Sequence, residues 1–204
     1  YESSECLVGS EMCIRDSFHA SISHFFELLE KRHLNWREIT DTQRNQLVEE
    51  SVAKAMEEYQ TTVFDSSARN KSMAGRIRRM TDRTLWALGC QWEHGAYEKT
   101  WHELDFGRAG GNGVTLPVEE GLELSLRGRI DRVDFAEEDG SLYVKVIDYK
   151  SGSTKLDLGK VYYGLQLQLV LYLEAAMAMA AKRNPNRKLI PAGIYYYNMK
   201  DPIV

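Results

Sequence analysis

Two short stretches carry residues suited to phosphodiester chemistry: Gly128-Arg129-Ile130-Asp131-Arg132-Val133-Asp134 and Val146-Ile147-Asp148-Tyr149-Lys150-Ser151-Gly152. They read as the arms of one β-hairpin that gathers Asp131, Asp148 and Lys150. Two ionised carboxylates on a half-buried face repel each other. A divalent cation turns that conflict into a binding site, and a lysine alongside stabilises negative charge that develops during attack on a phosphate. The bland alternative is a surface hairpin with solvated aspartates. It is the weaker reading, because both carboxylates fall on the apolar face.

The register follows from the turn. Asp139-Gly140 suits a type I′ turn, which needs positive φ at both central positions. With those two at the turn, Glu138 faces Ser141, Phe135 faces Val144, Val133 faces Val146 and Asp131 faces Asp148. Alternation then puts Asp148 and Lys150 on the face of Val144 and Val146. Upstream, Leu122, Leu124, Leu126 and Ile130 share one parity, while Val133 and Phe135 share the other. The apolar face therefore switches between Ile130 and Val133, and a bulge or sharp twist is expected there.

The elements around the hairpin read as an α/β plan with a mixed sheet. Residues 18–33 have helical spacing, with Phe18, Ile22, Phe25, Phe26 and Leu29 along one side. A helix-favouring region runs from about Thr42 to Glu103, with Thr40 or Asp41 as its cap and Gly75 and Gly89 as breaks. Strands are expected at about 102–106, 114–118, 122–135 and 142–150, then a long helix from Leu158 to Lys182 and a final strand from Ile190 to Asn198. The loop from Gly107 to Gly113 lacks phosphate-binding spacing.

The chain has 204 residues, 43% hydrophobic, enough for one core plus a helical insertion. A net charge of −4 advertises no global basic field. Basic residues do concentrate locally: Arg69, Lys71, Arg76, Arg78, Arg79 and Arg83 face a single acid, Asp82. Arg76, Arg78 and Arg79, with Arg129, are the candidate DNA-backbone contacts, although a solvated helix face accounts for the helical series equally well. Cys6, Cys13 and Cys90 form no metal-knuckle spacing, which points to a reducing, cytoplasmic setting. Leu165 to Ala181 is very apolar, but Gln166, Gln168 and Glu174 make it a buried helix rather than a membrane span.

A helical histidine, the two hairpin motifs, and the run Tyr163-Gly164-Leu165-Gln166-Leu167-Gln168-Leu169-Val170-Leu171-Tyr172 follow one another in the order seen in a known family. The chain resembles the PD-(D/E)XK nuclease domains of the RecB type, in particular those of bacterial AddAB-type helicase–nucleases. The resemblance spans residues 18–204 and implies a restriction-endonuclease-like core with a central mixed β-sheet flanked by helices. It implies Asp131 and Asp148 as metal-binding carboxylates, Lys150 as the catalytic lysine, and Gln168 and Tyr172 as the Gln-x-x-x-Tyr pair on the following helix. His19 matches the histidine that completes the metal shell, with His24 as its local rival. Glu103 falls where relatives carry an acidic or amide residue. Gln168 needs a partner in its apolar helix: a phosphate, a base, Lys150 or a backbone carbonyl would each serve.

The resemblance further implies Mg²⁺, with Mn²⁺ as a substitute, a helicase partner, and DNA, single-stranded at the site, as substrate. Residues 4–17 read as a translated adapter sequence and are set apart as a non-native segment 1–17. Relatives hold a 4Fe–4S cluster with one N-terminal and three far C-terminal cysteines, and this sequence is not expected to complete it. The expected division is a helical part at about 18–101 and a catalytic part at about 102–204. The rival reading is a nuclease-like DNA-binding scaffold that does not cleave. A third is an interaction module with no role in nucleic-acid chemistry.

Overall fold

The computed structural model describes residues 2–63, 68–107, 114–119, 122–150 and 152–199. The glycine-rich loop at 108–113 lies outside the described residues, as do Ser151 and the last five residues; the side chains of Cys6, Cys13, Arg69 and Lys71 also lie outside the description. The chain divides into two units, residues 1–95 with 199–204, and residues 96–198.

In the first unit, three helices, α1 (Glu2–Lys31), α2 (Asp41–Val63) and α3 (Ala68–Glu93), pack against one another. Their buried faces carry Phe18, Ile22, Phe25 and Leu29 from α1, Leu47, Val48 and Ala55 from α2, and Ile77, Leu85 and Leu88 from α3. The α1 set recurs at four- and three-residue spacing, and the helices are held by one-sided burial. Thr40 caps α2 through a reciprocal box: its Oγ1 accepts from Gln43 N (3.2 Å), and Gln43 Oε1 accepts from Thr40 N (2.9 Å). The expected breaks at Gly75 and Gly89 do not occur, and α3 runs through both. Gly89 is small for another reason, since a Cβ there would meet Trp36 Nε1 at 3.1 Å. The helical region also ends earlier than the sequence suggests, because a strand is under way by Tyr97.

The second unit contains a four-stranded mixed sheet in the order β1-β4-β5-β6, formed by β1 (Tyr97–Phe106), β4 (Gly128–Glu138), β5 (Ser141–Lys150) and β6 (Lys188–Asn198). β1, β4 and β5 pair antiparallel, and β5 pairs parallel with β6. A parallel pair needs a crossover, here supplied by α4 (Leu158–Tyr162) and α5 (Gln168–Arg183). The expected single helix breaks at Gly164, whose φ of 74° no continuing helix can adopt. The expected strand at 122–135 is likewise two strands. β3 (Leu122–Leu126) pairs with β2 (Val114–Glu119) in a separate ribbon, and β4 starts afresh at Gly128.

α5 lies on one face of the sheet. Leu169, Ala175, Ala176, Met179 and Ala180 pack into one core with Ile130, Val133, Phe135, Val144 and Val146. Small residues on the helix let it come close, and each fully buried Val, Leu or Phe contributes roughly 1.5–3 kcal/mol. This packing fixes the height of Gln168 and Tyr172 above the end of β5.

Candidate metal and catalytic centre

The hairpin turn adopts the expected conformation, with Asp139 and Gly140 at φ of 48° and 73°. Glu138 faces Ser141, Phe135 faces Val144 and Val133 faces Val146. The backbone ladder then stops at Arg132 opposite Ile147, one pair before the expected pairing of Asp131 with Asp148. Asp131 joins β5 in another way: its Oδ2 accepts the backbone N–H of Tyr149 at 2.7 Å. The first carboxylate is thereby tied to the residue between Asp148 and Lys150.

The switch of apolar face occurs where the sequence places it, though not through a bulge. Ile130 and Val133 belong to the same core although they differ in parity, and so do Trp101 and Leu104 opposite them on β1. The register between the strands is the same on either side of the switch, with Trp101 facing Val133 and Leu104 facing Ile130. The irregularity is the backbone of Glu103, at φ of 47°. A non-glycine residue in the left-handed region within a strand is strained, and such strain clusters at functional sites. It falls level with Asp131, and the two residues present carboxylate oxygens within 4.8 Å of each other.

Beside them stands a linked set of side chains. Lys150 Nζ lies 2.6 Å from Asp148 Oδ2 and donates to Gln168 Oε1 at 2.9 Å. Gln168 Nε2 donates to Asp148 Oδ1 (3.2 Å) and to the Tyr172 hydroxyl (3.0 Å). One amide thus holds the lysine, the aspartate and the tyrosine, and the partner left open for Gln168 in the sequence is Lys150 together with Asp148. Burial raises the Tyr172 pKa above its ordinary value, and Asp148 and Asp131 add to the effect. Its ring meets Phe106 edge-on at 5.9 Å. Gly128 makes room for this contact, because a Cβ there would come within 2.8 Å of Phe106.

Arg129 sits next to the acids. Its Nε donates to Asp105 Oδ1 at 3.1 Å and its Nη1 to Glu103 Oε2 at 3.4 Å, and the Asp105 bond leads the effects that raise its pKa. At formal charge, Glu103, Asp105, Asp131 and Asp148 against Lys150 and Arg129 leave two negative charges. Hard carboxylate oxygens with that excess suit a divalent cation of the Mg²⁺ or Mn²⁺ class.

The remaining candidates lie in the first unit. His19 is half-buried on α1. His24 is built into an ion cluster of the helical unit, with Nδ1 3.1 Å from Glu27, Nε2 2.9 Å from Glu58, and Lys54 Nζ 2.9 Å from Nδ1. Arg76, Arg78 and Arg79 lie on α3, where Arg78 pairs with Glu49 at 2.5 Å.

Sequence reasoning missed a second polar set, on the opposite face of the hairpin. Arg132 Nε donates to Asp134 Oδ1 at 2.6 Å, Thr100 Oγ1 donates to the same oxygen at 2.9 Å, and Lys145 Nζ lies 2.9 Å from Asp134 Oδ2. Burial opposes the Arg132 charge, but Tyr149 and Asp134 outweigh it and hold its pKa above the usual guanidinium value. Burial also pushes Tyr149 up to about 12 and holds His102 well below the ordinary histidine range. The signal was present in the sequence: two charged residues of one parity, flanked by apolar neighbours on a strand.

Comparison with known proteins gives the family. Residues 16–204 match the model of the PD-(D/E)XK nuclease superfamily. Over 187 residues the chain is 43% identical to the B-type subunit of an ATP-dependent helicase/deoxyribonuclease of Lachnoclostridium phytofermentans, covering 92% of this chain and 15% of that protein. Proteins of the same name from Caldanaerobacter subterraneus and Alkaliphilus oremlandii are 36% and 33% identical over 190 and 188 residues, covering 91% and 92% of this chain and 16% of each relative. The chain therefore spans less than a fifth of the length of these curated relatives. It belongs to the PD-(D/E)XK nuclease superfamily.

Proposed function

We propose that this PD-(D/E)XK nuclease domain hydrolyses DNA phosphodiesters with a divalent cation, within a helicase–nuclease that processes double-strand breaks for recombinational repair. The observation that carries the proposal is the 2.7 Å bond from Tyr149 N to Asp131 Oδ2, which ties the first motif's carboxylate to the residue between Asp148 and Lys150. Asp131 and Glu103 are the cation's ligands supported by geometry, and Asp148 and His19 enter the set from the resemblance. Mg²⁺ is the proposed ion and Mn²⁺ its substitute. Such an ion supplies Lewis acidity toward a phosphate oxygen and offsets charge.

The chain's own residues do the rest. Lys150, held between Asp148 and Gln168, places a fixed positive charge beside the reacting phosphate, where preorganised charge is most effective. Gln168 sets the position of the Lys150 ammonium. Tyr172 stays protonated at neutral pH and braces the amide. Arg76, Arg78, Arg79 and Arg129 are the proposed contacts to the DNA backbone, and a helicase that delivers single-stranded DNA is the proposed partner.

Incubating the purified chain with end-labelled single-stranded DNA and Mg²⁺ tests the reading. Cleavage by the native chain that is lost in Asp148→Asn and Lys150→Ala supports it. DNA bound without products, at any Mg²⁺ or Mn²⁺ concentration, sinks it in favour of a non-cleaving scaffold.

A further inference from the structure

The segment between Lys150 and Gln168 leaves the catalytic group and returns to it, since those two side chains bond at 2.9 Å. Its described residues are tied down by polar bonds. Asn198 bridges both backbone groups of Thr154, accepting from its N at 2.8 Å and donating to its O at 2.9 Å. Gln166 accepts from Asp157 N at 2.9 Å and donates to Lys155 O at 3.0 Å. Asp157 caps α4 through Gly159 N and Lys160 N. A segment held this firmly would be expected to turn apolar groups inward. Instead Tyr162 is 83% exposed, Tyr163 76%, Leu158 75% and Leu165 77%.

An ordered, exposed apolar stretch in a segment that starts and ends at the site marks a binding surface. Its charge indicates the occupant. Lys155 and Lys160 are exposed within it, and the single acid between residues 152 and 167, Asp157, is spent on the cap. Two tyrosine rings 5.2 Å apart and nearly perpendicular, in one segment with two exposed lysines, offer π-faces to bases and cations to phosphates.

We propose that Tyr162 and Tyr163, with Lys155 and Lys160, form a stacking subsite for unpaired nucleobases of the DNA strand whose phosphate lies at Lys150. The proposal rests on the nuclease reading, and it explains how a strand is gripped without base-edge readout. Stacking is indifferent to sequence because every base has a π-face.

Binding and cleavage separate the two claims. The native chain, a Tyr162→Ala/Tyr163→Ala double variant and a Tyr162→Phe/Tyr163→Phe double variant are titrated into fluorescein-labelled single-stranded oligothymidylate. Anisotropy is read with Ca²⁺ in place of Mg²⁺. The same three proteins are then assayed with Mg²⁺ on the oligonucleotide, and with Mn²⁺ on bis(4-nitrophenyl) phosphate, which has no base to stack. The expected result is a Kd and KM weakened by roughly fivefold or more in the alanine variant. The phenylalanine variant stays near the native chain, and hydrolysis of the baseless ester is the same in all three. An alanine variant that binds oligothymidylate as the native chain does overturns the subsite and leaves the surface to a protein neighbour. So does an equal loss in the phenylalanine variant. A native chain that binds but cleaves neither substrate overturns the nuclease reading, while the anisotropy comparison still decides the subsite.

Discussion

On one face of the β4–β5 hairpin, Arg132, Asp134 and Lys145 form an ion network in which the Arg132 and Asp134 side chains are 1% and 0% exposed. On the other, Asp148 is nearly as buried at 4%, yet its partner Lys150 remains 28% exposed and more acids gather beside the pair. Both faces place an aspartate against a cation, but they differ in what is left over. The first set satisfies Asp134 from three directions with groups of the chain itself. The second keeps an excess of carboxylate and an accessible ammonium, beside strained backbone at Glu103. Burial alone therefore does not mark a reactive site. Carboxylate oxygens grouped within 4.8 Å of each other next to a part-exposed lysine are the better sign, because that arrangement suits a cation and a substrate.

The comparison predicts opposite responses to similar substitutions. On the open face, Asp148→Asn or Lys150→Ala lowers the cleavage rate on the order of 10²–10³-fold. Thermal unfolding of Asp148→Asn stays near that of the native chain because Lys150 keeps access to water, and Lys150→Ala, which strands the buried Asp148, unfolds earlier. Unfolding that drops with activity in both variants would show that this face is structural as well. On the closed face, Asp134→Asn strands Arg132 and Lys145, and breaking such a buried pair costs on the order of 3–5 kcal/mol, measurable by urea titration. A loss under about 1 kcal/mol, the scale of an exposed pair, would mean that the network is not closed.

Gln168→Ala should fall between these extremes. Hydrogen bonds to charged groups contribute about 1.5–3 kcal/mol, so kcat should fall roughly ten- to a hundredfold with little change in KM. A change in KM alone would make Gln168 a substrate contact and not a brace for Lys150. The smallest effect concerns pH. Burial works to raise the Asp134 pKa, but Arg132 and Lys145 outweigh it and hold the value below the ordinary 3.8. A depressed carboxyl stabilises the fold above its unfolded pKa, and that share is lost as the pH falls through the folded value. Urea titrations from neutral pH down to about pH 2.5 should show a shallower acid-side decline in Asp134→Asn than in the native chain. Identical slopes would remove Asp134 from the account.

Much of this was legible from local rules. The Asp139-Gly140 turn determines the hairpin register down to Val133 opposite Val146, because a type I′ turn allows one pairing and alternation carries it along both arms. Gln168 and Tyr172 were candidates through the family resemblance alone, which left the partner of Gln168 open between Lys150, a phosphate, a base and a backbone carbonyl. Features that depend on tertiary context were less legible. The strain at Glu103 depends on the tertiary pairing of β1 with β4, which no local propensity encodes. The break at Gly164 was hidden by an apolar pattern that continues through it. The closed network of Arg132 and Asp134 was legible only in part, because parity gives the two charges a shared face without saying whether that face is covered. Among the described residues no helix is long and apolar enough to cross a membrane.

The claim that the open face holds a divalent cation through Asp131 is tested most directly by calorimetric titration of Mn²⁺ into the native chain and into Asp131→Asn, with circular dichroism to verify that both are folded. The account predicts a binding isotherm for the native chain and an affinity at least about tenfold weaker in the variant, the loss of one charged ligand interaction. Equal affinity in the two folded proteins would contradict it.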